Sequence, residues 1–182
     1  MERVELRGKM RVFIIAIVFA QVFTTPTFSQ LSQRSVEILA RALPFIPHIQ
    51  IGELSVGIVF DEKSVISTKE KDTLLLLLGS GYQVGKYNLI GHAIMVTQLQ
   101  NLRHFDIIIV TEDTRAFQGE IYEIALTQHI LTVSSDFECV LAGNCVLGIT
   151  TSPKVKIIVN AHARAECQIN FAQAFRLLVH EV

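Results

Sequence analysis

The sequence predicts an α/β fold: a mainly parallel sheet with helices on both faces and an antiparallel C-terminal hairpin at the edge. Three observations carry this. LSVGIVF (54–60), DIIIVT (106–111) and ILTV (130–133) are apolar almost throughout, as strands covered on both faces are. They alternate with segments of helical pattern, and a helix between two strands gives the crossover connection that makes them parallel. VLGITTSPKVKIIVN (146–160) leaves room only for a turn at Ser152 and Pro153 between its apolar runs, so that pair is antiparallel.

Each element has its own signal. SQRSVEILARAL (32–43) puts Val36, Leu39, Ala40 and Leu43 at helical spacing, and Pro44 and Pro47 stop the helix. After strand 54–60, DEKSVISTKEKDTLLLLLGSG reads as a helix with a polar first half, ended by Gly79 and Gly81. Leu74 to Leu78 read as core packing, since five residues span no membrane. AIMVTQL (93–99) is the strand expected next, then DIIIVT. Thr114 is placed to cap a helix with Phe117, Ile121, Ile124 and Ala125 on one face. Asn170 is placed to cap a last helix that buries Phe171, Ala174, Phe175 and Leu178.

The N-terminus bounds the compartment. Arg7, Lys9 and Arg11 precede the apolar run VFIIAIVFAQVF (12–23), and small residues at Thr27 and Ser29 follow. That is the layout of a secretory signal peptide over residues 1–29, cut before Gln30. The alternative is membrane anchoring by an uncleaved signal, but the run is about a dozen residues where spanning takes about 20. Residues 30–182 then form a single domain. The leader removes four Lys/Arg and two Asp/Glu, leaving 12 of the 16 basic and 15 of the 17 acidic residues. That balance gives no electrostatic reason to expect nucleic acid as a partner. Half of the whole sequence is hydrophobic, which excludes disorder for the body of the chain.

Open parallel sheets bind ligands beyond the carboxyl ends of their strands. Those ends carry Asp61 and Glu62, Glu112 and Asp113, then Ser134, Ser135 and Asp136. Asp61, Glu112, Asp113 and Asp136 are the candidate ligand-binding residues, an acidic crown suited to a small ligand or, through oxygen donors, a divalent cation. Asp, Glu and Ser at such places also serve as helix caps and turn formers. A response-regulator receiver shows a similar set of acids, but its phospho-acceptor position holds Thr111 here and receivers work in the cytosol. The six histidines have no HxH, HxxH or HExxH spacing, so no metal site is assigned. No GxSxG, P-loop or GxGxxG context is present, and neither catalytic residues nor a cofactor are assigned.

Cys139 and Cys145 read as a disulfide, two metal ligands or a nucleophile with a spare thiol. An oxidising compartment favours the disulfide. In the loop-entropy treatment, closing so short a loop stabilises by about 2.4 kcal/mol. Asp136 and Glu138 beside Cys139, on an expected surface turn, would raise its thiol pKa and weaken it as a nucleophile. Cys167 is left over.

ILTVSSDFECVLAGNCVLGI (130–149), KVKIIVNAHARAECQINFAQAFRLL (154–178) and HFDIIIVTED (104–113) together resemble the YfiR-like family of exported bacterial regulators. Asn160 falls on the family's strand-ending Asn, Asn170 falls where a Ser is usual, and SVEILARAL corresponds loosely to the opening helix. Two departures stand out: a double glycine reduced to Gly143 before Asn144, and PFIPHI in place of an aromatic motif after the first helix. The resemblance implies a small periplasmic domain without catalytic residues. It would act by protein contact on the periplasmic part of an inner-membrane protein of the diguanylate cyclase class, in cyclic-di-GMP signalling. A homodimer is also open.

Overall fold

The computed structural model describes residues 31–182; the signal peptide expected over residues 1–29 lies outside the described residues. The strands are β1 (Gly52–Phe60), β2 (Tyr82–Val84), β3 (Tyr87–Met95), β4 (Ile107–Val110), β5 (Leu131–Ser134), β6 (Leu147–Thr150), β7 (Lys156–Val159) and β8 (His180–Glu181). They make one sheet in the order β2-β3-β1-β4-β5-β6-β7-β8. The helices are α1 (Gln33–Ala42), α2 (Val65–Leu78), α3 (Gln118–Gln128), α4 (Phe137–Leu141), α5 (Ala161–Glu166) and α6 (Gln173–Arg176). Strands β3, β1, β4, β5 and β6 run parallel, as the crossovers dictate. The antiparallel C-terminal pair is β6 with β7; β8 adds a short parallel strand outside it, so the hairpin lies one strand in from the edge.

The central strands are buried residue after residue: Ile107, Ile108, Ile109 and Val110 are at most 1% exposed, so the sheet is covered on both faces. Close approaches identify which helix covers which face. A Cβ on Gly91 would lie 2.7 Å from Leu78 of α2, and one on Gly57 would lie 3.0 Å from Phe105. Helix α2 thus covers one face, with α1 beside it through a hydrogen bond between Leu31 and Glu70. The 3-10 segment Val96–His104 and α3 cover the other. Helix α4 joins them there, since Phe137 and Val140 crowd the Cα of Gly148.

Local chemistry explains most boundaries. Ser32 and Ser35 form a reciprocal capping box at the start of α1, and Ser64 caps α2 by accepting from the Ser67 amide. Val36, Leu39, Ala40 and Leu43 are all buried, as their spacing predicts.

Several expectations are corrected. The strand expected at 93–99 is β3, which ends at Met95. Val96, Leu99 and Leu102 continue as buried positions three apart, the period of a 3-10 helix. The stretch before it is an unforeseen antiparallel hairpin, β2 with β3, turning at Gly85 in left-handed backbone (φ 56°). Thr114 caps no helix: its hydroxyl donates to the Thr111 carbonyl, and α3 begins at Gln118 after a 3-10 turn. The surface turn expected at Cys139 is helix α4, capped by Asp136, and Cys139 is buried within it. Asn170 is not a cap. Helix α6 starts at Gln173 without a side-chain cap, Ala174 is exposed, and Leu178 lies 78% exposed instead of in the core. It is Asn160 that caps, accepting from the Ala163 amide at the start of α5 while donating to the Val140 carbonyl.

Candidate functional site

Strand β1 sits between β3 and β4. The chain leaves β1 on one side of the sheet through α2 and leaves β4 on the other through α3, so the carboxyl ends of β1 and β4 flank the topological switch point where α/β sheets place ligands. Beside it, beyond the carboxyl ends of β4 and β5, lies an open cleft of about 570 Å³ lined by Glu112, Asp113, Arg115, Ala116 and Asp136. Three of the four crown acids are therefore brought together. Asp61 is not among the lining residues: its carboxylate accepts from the Lys63 amide at 2.9 Å in an Asx turn.

The acids in the cleft have structural duties as well. Asp113 takes left-handed backbone (φ 60°), and its carboxylate accepts the Ser64 hydroxyl at 2.7 Å, a bond that bridges the switch point from the β4 loop to the cap of α2. Asp136 accepts from the Glu138 amide at 2.9 Å and from the Gln118 side-chain amide at 3.2 Å. These are the capping and turn roles that strand-end acids fill in α/β folds. Among the described residues, no three His, Cys, Asp or Glu side chains converge as a metal site requires.

Beneath the crown lies an acid the sequence reading passed over. Glu70 is fully buried on α2 and accepts three hydrogen bonds at 2.8 Å: from the Leu31 amide and the Ser135 hydroxyl on Oε1, and from the Glu112 amide on Oε2. It ties the start of the described chain, α2, the β4 loop and the end of β5 to one carboxylate. Burial pushes its pKa above the ordinary 4.5; the three hydrogen bonds pull against that, and the Asp136 charge adds to it. Ser67, one turn earlier, donates to the Thr111 hydroxyl at 2.6 Å, which donates to the Val59 carbonyl. A signal existed: Ser67, Glu70, Leu74 and Leu78 form one buried stripe, and a glutamate inside such a stripe needs partners.

Cys139 and Cys145 are disulfide-bonded, with their Cα atoms 5.3 Å apart and both residues buried. The Cys139 carbonyl accepts from the amides of Asn144 and Cys145, closing the loop on itself. The metal and nucleophile readings of this pair are thereby set aside. Cys167 is a free, buried thiol, pushed up to about 11 by burial and by Glu166, so it carries almost no thiolate near neutral pH.

The C-terminal edge presents a different surface. Leu177 and Leu178 are each 78% exposed immediately before β8, and Arg176 grips Glu181 through two bonds of 2.7 and 2.8 Å.

No helix among the described residues is long and apolar enough to cross a membrane, and the disulfide is consistent with an exported protein. No family model and no curated protein matches the chain. The fold is similar to two solved structures. One is a conserved domain protein from Vibrio cholerae O1 biovar El Tor (TM-score 0.61, 14% identity). The other is the ligand-free, open form of a substrate binding protein with adhesive properties from Clostridium difficile (TM-score 0.55, 14% identity). Each match covers 84% of this chain and 60% of the other, so the chain spans less than two thirds of either structure, and what the likeness establishes is a shared α/β fold.

Proposed function

We propose that the protein is an exported, non-enzymatic regulator that works by protein contact, its partner being the periplasmic part of an inner-membrane protein of the diguanylate cyclase class. The observation that carries the reading is the exposed Leu177–Leu178 pair on a C-terminal region braced at its surface by the Arg176–Glu181 pair. A rigid apolar projection favours docking, because little side-chain or loop freedom is lost on binding. The resemblance of segments 130–149 and 154–178 to the YfiR-like family suggests the partner class. The test is genetic and biochemical together. Deletion should raise cyclic-di-GMP, wild-type protein should restore it, and Leu177→Asp/Leu178→Asp should fail to restore it or to crosslink to the cyclase while keeping its melting temperature. Unchanged cyclic-di-GMP on deletion sinks the proposal.

A second reading is a small-ligand or cation binding domain at the cleft beyond β4 and β5, favoured by the presence of Glu112, Asp113 and Asp136 in the lining of one opening. It requires a ligand- or calcium-dependent rise in melting temperature that disappears in Asp113→Ala. No rise with calcium or with a panel of amino acids and sugars would remove it.

A further inference from the structure

A second cleft lies at the opposite end of the sheet, where β1 and β3 begin. It encloses about 560 Å³ between the C-terminal end of α1 and the β2–β3 turn, a volume within the range of about 300–1,000 Å³ usual for small-ligand sites. Its walls are largely hydrocarbon: Pro44, Ile51, Val84 and Tyr87, with Ile51 64% exposed. Two cations stand in the same lining, Arg41 and Lys86, and no acidic side chain does. Among the described residues neither has a carboxylate partner, whereas the charged side chains of Arg176 and Glu181 are paired. The turn keeps the opening clear: nothing lies within 4 Å of where a Cβ on Gly85 would stand.

We propose that this cleft binds an amphiphilic monoanion, a medium-chain carboxylate whose head group lies on Arg41 and Lys86 and whose chain lies along Pro44, Ile51, Val84 and Tyr87. Charge complementarity selects the anion, since the lining holds two cations and no acid, and guanidinium matches a carboxylate through two parallel bonds. The hydrocarbon walls select the tail. A sugar or nucleotide would leave most of its hydroxyls facing hydrocarbon, where unpaired polar groups are costly.

The test is calorimetric titration of the full chain with octanoate, butanoate and 1-octanol. Octanoate should bind at least about tenfold more tightly than either control, one lacking the chain and the other the charge. Arg41→Glu/Lys86→Glu should weaken octanoate by about tenfold or more while leaving 1-octanol binding and the melting temperature unchanged. Ile51→Asp should weaken octanoate and 1-octanol alike. The assignment is overturned if octanoate fails to bind, binds no better than 1-octanol, or is indifferent to the double charge reversal. A concentration-dependent dimer abolished by the same reversal would also overturn it, assigning the cleft to a second copy of the chain.

Discussion

Replacing Glu70 by alanine removes the acceptor for three donors at once. The Leu31 amide and the Ser135 hydroxyl belong to residues no more than 3% exposed, so neither finds water as a substitute; Glu112 is only partly buried, and its amide can rehydrate. An unsatisfied buried donor costs about 1–3 kcal/mol, so the two buried ones together predict a loss of about 2–6 kcal/mol, offset in part by relief of the buried charge. Glu70→Gln separates these effects. Its amide oxygen can keep the Leu31 and Ser135 bonds, while its NH2 would face the Glu112 amide donor to donor, for a loss of about 1–2 kcal/mol. The sign of the pH dependence follows from the raised pKa. Between 4.5 and the higher folded value the native state holds more protons than the unfolded chain, so wild-type stability falls as pH rises through that window. The advantage of wild type over Glu70→Gln should therefore be larger at pH 4 than at pH 8. Urea unfolding at both pH values measures this, and Leu31 amide exchange reports the local release. A Glu70→Ala loss below about 1 kcal/mol, or a wild-type advantage that grows with pH, would refute the reasoning.

Three further outcomes follow from the same geometry. Cys139→Ser/Cys145→Ser should lose about 2.4 kcal/mol in chemical unfolding, and native wild-type protein should react with a thiol reagent only on unfolding, at Cys167. Gly91→Ala should cost about 1–3 kcal/mol in thermal or urea unfolding, because its Cβ would meet Leu78 Cβ at 2.7 Å, an atom fixed to the α2 backbone. Asn160→Ala should lose about 2 kcal/mol through the α5 cap and the buried Val140 carbonyl, whereas Asn170→Ala should stay within about 0.5 kcal/mol; the reverse order would restore the sequence-based capping assignment.

What was legible in the sequence depended on how many faces of an element are buried. Strands β1, β4, β5 and β6 announced themselves because burial on both sides demands unbroken apolar runs. Strand β3 was misplaced because Gly91 gives up its side chain to let Leu78 approach and His92 is exposed, so the run looks interrupted. The disulfide was readable from spacing and compartment, since six residues can close a loop without outside help. The strand-end places of Glu112, Asp113 and Asp136 follow from the strands, but their bonding does not: Ser64 lies 49 residues from Asp113, and Gln118 lies 18 from Asp136. Glu70 was hidden for the same reason, its partners being 39, 42 and 65 residues away.

The two rims of the sheet limit one kind of association, strand addition. Strand β2 has three residues and β8 has two, so a foreign strand laid along either finds only a few backbone groups to grip. Neither rim offers the long row of unpaired backbone groups on which strand after strand can add. Along these two edges, contact with another molecule falls to side chains.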